Sequence, residues 1–224
     1  MIILACAPST ALTPVPRQAM RALHPQFVCQ SRSRLRPCPL PDPPPAPCRR
    51  SGADHSGPPR ALGVQPTEQD TLAAAELRKH EPWFPEAFAA LEAIWRGEDS
   101  DENWAKILPF SYGRWDAQAQ AHAAADDAQG NRAAAAIYGS AGAFDGTAIR
   151  KAFAARMEPV LILGGAADGW PSPRVCTEYA ALFPSAELAL QPAAGHFPWL
   201  DDPAWFTRSV ASFLAHSPET APAA

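Results

Sequence analysis

Proline crowds the first quarter of the chain, and this limits where a hydrophobic core can form. Eleven of the 26 prolines lie in the first 50 residues, and the densest run is PCPLPDPPPAPC at 37–48. Each proline fixes φ and removes a backbone N–H donor, so such a run favours extended or polyproline II structure over helix or sheet. We therefore predict that residues 1–57 form a disordered Pro/Arg-rich segment and that the fold is built from residue 58 onward.

This first segment also differs from the rest in charge and cysteine content. Seven Arg and two acidic residues give it a charge of +5, so the remainder carries -9 within a total of -4. Four of the five cysteines lie in it, with neither C-x-x-C spacing nor a following histidine pair, so we expect no metal site and no cofactor. A P-x-x-P ligand for an SH3-like domain is the functional alternative for 37–48, and unstructured chain is the favoured interpretation.

The overall composition is that of a soluble globular protein, with 47% hydrophobic and 19% charged residues. No apolar stretch approaches the roughly 20 residues that a membrane helix needs. The net negative charge offers no basic surface for nucleic acid. The opening MIILACA lacks the basic n-region of a signal peptide. We expect a cytoplasmic protein with no nucleic acid and no membrane among its partners.

Helical patterns fill residues 58–156. Apolar residues recur at the spacing of one helical face, at Phe84, Phe88, Leu91 and Trp95. Ala-rich stretches follow at 101–108, 114–126 and 131–138. A further helix is predicted from Asp145 or Gly146 to Arg156. This region is therefore predicted to be a group of short helices.

The pattern changes at residue 159. The apolar run 159–163, ended by Gly164 and Gly165, is typical of a strand buried on both faces. A second strand is predicted at 186–190. Helices are predicted after each strand, because Ser172-Pro173 and Asp202-Pro203 are N-cap and N1 pairs. The order strand–helix–strand–helix favours a parallel α/β arrangement over 157–216, with 217–224 as a tail.

Two residues with acid–base chemistry follow the two predicted strands. Asp168 lies in GGAADGWPSP after the first strand, and His196 lies in QPAAGHFPWLDDP after the second. Loops at the carboxyl ends of neighbouring parallel strands share one edge of the sheet. A carboxylate there can orient an imidazole, which can then take a proton from a hydroxyl. Taken singly, each residue is more typical of a turn or a satisfied surface position, and the pairing favours a site.

These motifs resemble the α/β-hydrolase superfamily over about residues 58–215. PVLILGGAAD resembles the strand and acid loop of that family, and GHFPWLDDPAWF resembles its histidine loop. The segments EPWFPEAFAALEAIWRG and PFSYGRWDAQAQAH resemble the helical cap of proline-iminopeptidase-like members. The resemblance implies an incomplete α/β-hydrolase fold, a helical cap over 58–156 followed by the last two strand–helix units.

The same resemblance implies function. Asp168 would be the triad acid and His196 the general base, acting on a small-molecule ester or a peptide with an N-terminal proline. Trp170 and Trp199 are candidates for lining the substrate pocket, although core packing explains both equally well.

The nucleophile of the family is missing. The family places serine in a G-x-S-x-G turn between a strand and a helix, ahead of the acid and the histidine. No G-x-S-x-G occurs here. Ser140 in YGSAG has tyrosine in place of the first glycine, Ser56 in DHSGP has neither outer glycine, and no strand is predicted before either serine. We therefore predict a hydrolase by descent that is inactive as this chain. A non-catalytic binding module and one half of a split hydrolase, complemented by an N-terminal half, are the alternatives.

A shifted reading frame is one explanation for the missing half. Codons chosen for residues 49–56 can encode A-G-L-V-L-I-T-P when they are read one base later, directly ahead of PPRALGV. That octapeptide has the pattern of a buried strand. On this hypothesis residues 1–57 are an out-of-frame reading, and the shifted frame should encode G-x-S-x-G upstream, which the DNA sequence tests.

Overall fold

The computed structural model describes residues 1–5, 62–129, 131–138, 140 and 142–216. Within them, helices and a turn of 3-10 helix (Leu108–Ser111) come before the main strands. The helices are α1 (Glu68–Glu76), α2 (Phe84–Trp95), α3 (Asp101–Lys106), α4 (Ala117–Gln129), α5 (Arg132–Tyr138) and α6 (Gly146–Ala154). The strand–helix part comprises β1 (Ile2–Ala5), β2 (Val160–Gly165), α7 (Pro173–Ala180), β3 (Ala186–Gln191), α8 (Pro198–Asp201) and α9 (Pro203–His216).

The sheet has the strand order β1-β2-β3. Strands β2 and β3 are parallel, with Val160 opposite Ala186 and Gly165 opposite Gln191. The described residues therefore combine helices with a short parallel pair of strands, which agrees with the predicted partial α/β fold. Both strands begin where the sequence predicted, and β2 continues through the two glycines that were expected to end it.

The expectation that nothing before residue 58 forms a strand is wrong at Ile2–Ala5. This segment pairs antiparallel with β2, and Ile2 lies opposite Leu163. The physical reason is that an open strand edge presents unpaired N–H and C=O groups, which a short apolar segment can satisfy. The rest of the predicted disordered segment, including 37–48 and 49–56, lies outside the described residues, as does the tail at 217–224.

Helices cover both faces of β2, and every residue of this strand is buried. Val160 and Ile162 pack against Val175 and neighbouring residues of α7. Leu161 and Leu163 point to the opposite face and pack against Phe213 of α9, because successive side chains of a strand alternate. Each such buried side chain contributes about 1.5–3 kcal/mol, so β2 anchors the loop that follows it.

The predicted helix starts are confirmed. Ser172 Oγ accepts a hydrogen bond from the N–H of Val175 at 3.3 Å. Asp202 Oδ1 accepts one from the N–H of Trp205 at 2.9 Å. A third cap, Asp145, begins α6. These local bonds fix where the chain leaves each loop after the strands.

The predicted apolar face of α2 is confirmed except at its end. Leu91 is buried and Phe84 and Phe88 pack against the same cluster, whereas Trp95 is 37% exposed. Three alanines of the helix are buried as well and extend this face. Among the described residues, each helix is too short or too polar to cross a bilayer.

Candidate functional site

Asp168 and His196 meet at the carboxyl ends of β2 and β3. His196 Nδ1 lies 2.9 Å from Asp168 Oδ2. Asp168 is buried at 1% exposure, whereas the His196 side chain is 29% exposed. The contact predicted from the sequence is therefore confirmed, and the catalytic role of the two residues stays a prediction.

Asp168 is held by the loop in which it lies. Its Oδ1 accepts a hydrogen bond from the backbone N–H of Trp170 at 2.8 Å. Its own N–H donates to the carbonyl of Gly165 at 3.3 Å. With Oδ1 occupied, Oδ2 is directed to the imidazole, so an ionised Asp168 keeps the His196 proton on Nδ1.

The histidine loop is fixed against the cap by backbone contacts. His196 N–H donates to the carbonyl of Ser111, at the end of the 3-10 turn, at 2.7 Å. Gly195 is needed here for close approach, because a Cβ would lie 2.6 Å from the same carbonyl. The left-handed residue of the loop is Ala193, with φ of 55°. The sharp turn of this loop is therefore at Ala193, and Gly195 provides the space for the approach of Ser111.

Asp201 joins the histidine loop to residues 112–116, which follow the 3-10 turn and are called the cap loop. Its carboxylate accepts hydrogen bonds from the N–H of Gly195 at 2.8 Å and from the N–H of Gly113 at 3.0 and 3.1 Å. Arg114 Nη2 donates to the carbonyl of Leu200 at 2.9 Å. Sequence reasoning missed Asp201, since WLDDP indicates only a helix start.

Arg78 is a second residue that the sequence did not indicate. It is 5% exposed and hydrogen-bonds backbone carbonyls of both the acid loop and the cap loop. Burial lowers the pKa of the Arg78 guanidinium, and the charges of Asp168 and Asp201 act in the opposite direction. The Arg78 guanidinium therefore places a buried positive charge near Asp168.

Asp168 and His196 border a cavity of about 670 Å³ between the sheet edge and the cap. Its aromatic and aliphatic walls come from α2, α3 and the turns beside them. The lining residues that carry its apolar character are Leu91, Ile94, Trp95, Trp104, Ile107, Leu108 and Trp170. This volume is within the range of small-molecule sites.

The two predicted pocket tryptophans lie in different places. Trp170 lines the cavity next to Asp168. Trp199 packs instead with Leu161 and Leu163 on the α9 face of the sheet, with its ring against Phe206. Trp199 is therefore absent from the lining of this cavity, and its role in binding substrate stays a prediction.

The polar lining of the cavity is acidic and hydroxylic. Glu68 and Asp99 line it, and no Lys or Arg is among its lining residues. The hydroxyl of Thr67 donates to Asp70 at 2.7 Å, and that of Thr71 donates to a backbone carbonyl at 3.4 Å. Thr67 is the N-cap of α1, and Thr71 bonds within that helix, so both hydroxyls are already engaged.

Neither sequence candidate for a nucleophile reaches this cavity among the described residues. Ser140 is exposed after α5, and its hydroxyl donates to the carbonyl of Ile137 at 2.8 Å. Ser56 lies outside the described residues.

In the part of the chain that the structure describes, no group of three His, Cys, Asp or Glu side chains could hold a metal ion.

A scan against protein-family models finds no match to this chain, and a search of curated proteins finds none. The interpretation of the site therefore depends on its residues and their geometry.

Proposed function

We propose that residues 62–216 carry the cap and the acid–histidine part of an α/β-hydrolase-type serine hydrolase. The observation that supports this most is the 2.9 Å contact between Asp168 and His196 beside the cavity. The two residues follow neighbouring parallel strands in the order acid then histidine, as in that superfamily. The helices over 68–154 then have the role of a lid.

Asp168 and His196 have complementary parts in the proposed chemistry. Asp168 accepts a hydrogen bond from Nδ1–H, which leaves the lone pair on Nε2 to take a proton from an attacking hydroxyl. The imidazolium formed in this step is stabilised by the buried carboxylate. In the next step Nε2 returns the proton to the leaving alcohol or amine.

The nucleophile motif of the superfamily is the part that this sequence lacks. The sequence contains no G-x-S-x-G, and without a nucleophile and oxyanion donors an acid–histidine pair contributes little to acyl transfer. We therefore propose that the chain is inactive by itself. The alternative is a split hydrolase, in which a complementing N-terminal half supplies the serine and the remaining strands.

The cavity suggests the substrate class. Its tryptophan and aliphatic walls suit an uncharged acyl group or a proline ring. Glu68 and Asp99, in a lining without Lys or Arg, favour an amine over a carboxylate. These features support an ester or an N-terminal prolyl peptide as the substrate. They equally support a non-catalytic module that binds such a ligand, because the cavity exists without the nucleophile.

Two measurements on the full chain test the proposal. The first is the ¹⁵N spectrum of the neutral imidazole of His196 at about pH 8.5. We expect the proton on Nδ1 in the wild type and mainly on Nε2 in Asp168→Asn. A wild-type imidazole protonated on Nε2 would show that Asp168 does not orient it.

The second measurement is turnover of a p-nitrophenyl ester and of prolyl p-nitroanilide. We expect the wild type to match His196→Ala, since both lack a nucleophile. The control is His80→Ala, which changes a histidine that is 74% exposed and absent from the cavity lining. Turnover that is lost in His196→Ala and kept in His80→Ala would refute the inactive form of the proposal.

A further inference from the structure

Arg78 is a buried charged side chain that the proposed chemistry does not use. It lies just beyond the end of α1, at 5% exposure, and it is not among the residues that line the cavity. Arginine is rarely buried to this extent unless its charge and its donors are satisfied. Its burial therefore has to be explained by what it contacts.

The guanidinium joins three segments that are far apart in the sequence. Nη1 donates to the carbonyl of Ala167 at 2.7 Å and to that of Ala74 at 3.2 Å. Nη2 donates to the carbonyl of Tyr112 at 2.9 Å. The planar fork of arginine can serve these carbonyls together, which a single lysine amine cannot do in the same geometry.

Both of the distant carbonyls belong to loops that hold the site. Ala167 directly precedes Asp168 in the acid loop. Tyr112 directly follows Ser111, whose carbonyl receives the N–H of His196. Arg78 thus binds the backbone next to Asp168 and the backbone next to Ser111, which in turn binds the histidine loop.

The charge of Arg78 acts on the same site. Asp168, Asp201 and Glu81 are the carboxylates whose charges stabilise the guanidinium. The guanidinium and the Asp168 carboxylate are both buried, at 5% and 1% exposure. The positive charge of Arg78 is therefore offset by carboxylates near the loops that it holds.

We propose that Arg78 is a positioning residue of this site, which holds the acid loop and the cap loop so that Asp168 Oδ2 and His196 Nδ1 stay in contact. The inference rests on the proposed function for its relevance to catalysis. The inference concerns the position of two loops and of one imidazole proton, and both can be measured without any turnover.

The expected effect follows from the donor and acceptor roles. When Asp168 and His196 are no longer aligned, Nδ1 loses its carboxylate acceptor and the neutral imidazole can carry its proton on Nε2. Arg78→Met removes both the charge and the fork. It should therefore shift the neutral tautomer of His196 toward Nε2–H, as Asp168→Asn does.

The test is the ¹⁵N tautomer spectrum of His196 in the full chain, assigned by comparison with His196→Ala. The matched control is Val175→Ala, a core deletion at a fully buried site on α7, in the cluster with Val160 and Ile162. We expect Arg78→Met to move most of the population to Nε2–H and Val175→Ala to leave it on Nδ1–H. An unchanged Nδ1–H population in folded Arg78→Met would overturn the inference.

A second variant covers the case in which Arg78→Met does not fold. Arg78→Lys keeps the charge but cannot bind the carbonyls of Ala167 and Tyr112 together. We expect amide exchange of His196 N–H to be about tenfold faster than in Val175→Ala, as for the loss of one hydrogen bond. Equal exchange in the two variants would overturn the inference. Absence of the Nδ1–H preference in the wild type would refute the proposed function instead.

Discussion

Replacing Gly165 by alanine should push the histidine loop away from the end of β2. A Cβ at this position would lie 2.1 Å from the carbonyl oxygen of Gly195 and 2.3 Å from that of Ala194, where ordinary contacts begin at 3.4 Å. Both obstacles are backbone atoms, so no rotamer change can relieve the contact. The loop has to retreat by about 1 Å, a form of overpacking.

The cost of this change can be worked out from the contacts. Overpacking of this kind costs about 1–3 kcal/mol. The hydrogen bond from Ala167 N–H to the carbonyl of Ala194, at 2.9 Å, is strained as well and adds about 1 kcal/mol. We therefore expect Gly165→Ala to lower the free energy of unfolding by about 3 kcal/mol. The same retreat takes His196 Nδ1 beyond hydrogen-bond distance of Asp168.

Gly169→Ala is the matched control in the neighbouring loop. Its Cβ would meet Ala74 at 3.5 Å and Thr71 at 3.6 Å, which are ordinary contacts. Its free energy of unfolding should stay within about 0.5 kcal/mol of the wild type. Urea denaturation followed by tryptophan fluorescence measures both variants. If Gly165→Ala is as stable as Gly169→Ala, the assigned approach of the histidine loop to β2 is incorrect.

Three further outcomes are expected. Asp201→Ala leaves two backbone N–H groups without their acceptor and should lower the free energy of unfolding, measured in urea, by about 2–4 kcal/mol. Asp201→Asn keeps one acceptor oxygen and should lower it less, and equal values for the two variants would show that the carboxylate does not connect the loops. The Arg174 guanidinium holds the pKa of Asp70 well below its usual range, so the stability from this pair is full above about pH 4 and falls as the pH decreases further. In Asp70→Asn this loss of stability in acid should be smaller. A urea midpoint profile from about pH 6 to 3 identical to that of the wild type would contradict the prediction. Burial raises the pKa of the Cys176 thiol to about 11, so iodoacetamide at about pH 8 should label it at least 100-fold more slowly in the native chain than in urea, as read from the mass of its peptide. Rapid native labelling would show that this face of α7 is not packed against β2.

Local signals explain what could be predicted about the secondary structure. Ser172 and Asp202 cap helices through hydrogen bonds to N–H groups three residues away. The apolar run at 159–163 gave a strand buried on both faces, because helices lie on either side of it. Such features depend on neighbours in the sequence and can therefore be predicted from the sequence alone.

The pairing of Asp168 with His196 could also be predicted, although the two are separated by 28 residues. Adjacent parallel strands end at one edge, so residues in the loops after them are brought together by topology alone. Arg78 and Asp201 had no comparable signal. The partners that join them to other loops lie 34 to 89 residues away, and the approach of those loops depends on how the helices over 68–154 pack.

The sequence by itself determined the helix starts, the central strand and the two residues that face each other beyond the strand ends, since each follows from local capping or from the direction of parallel strands. Tertiary structure alone decided that Ile2–Ala5 covers the edge of β2 and that Trp170, but not Trp199, lines the cavity. It alone decided that one buried guanidinium holds two loops of the site. The physical reason is that these contacts come from the packing of distant segments, and no periodicity or cap encodes which backbone carbonyl a distant side chain will reach.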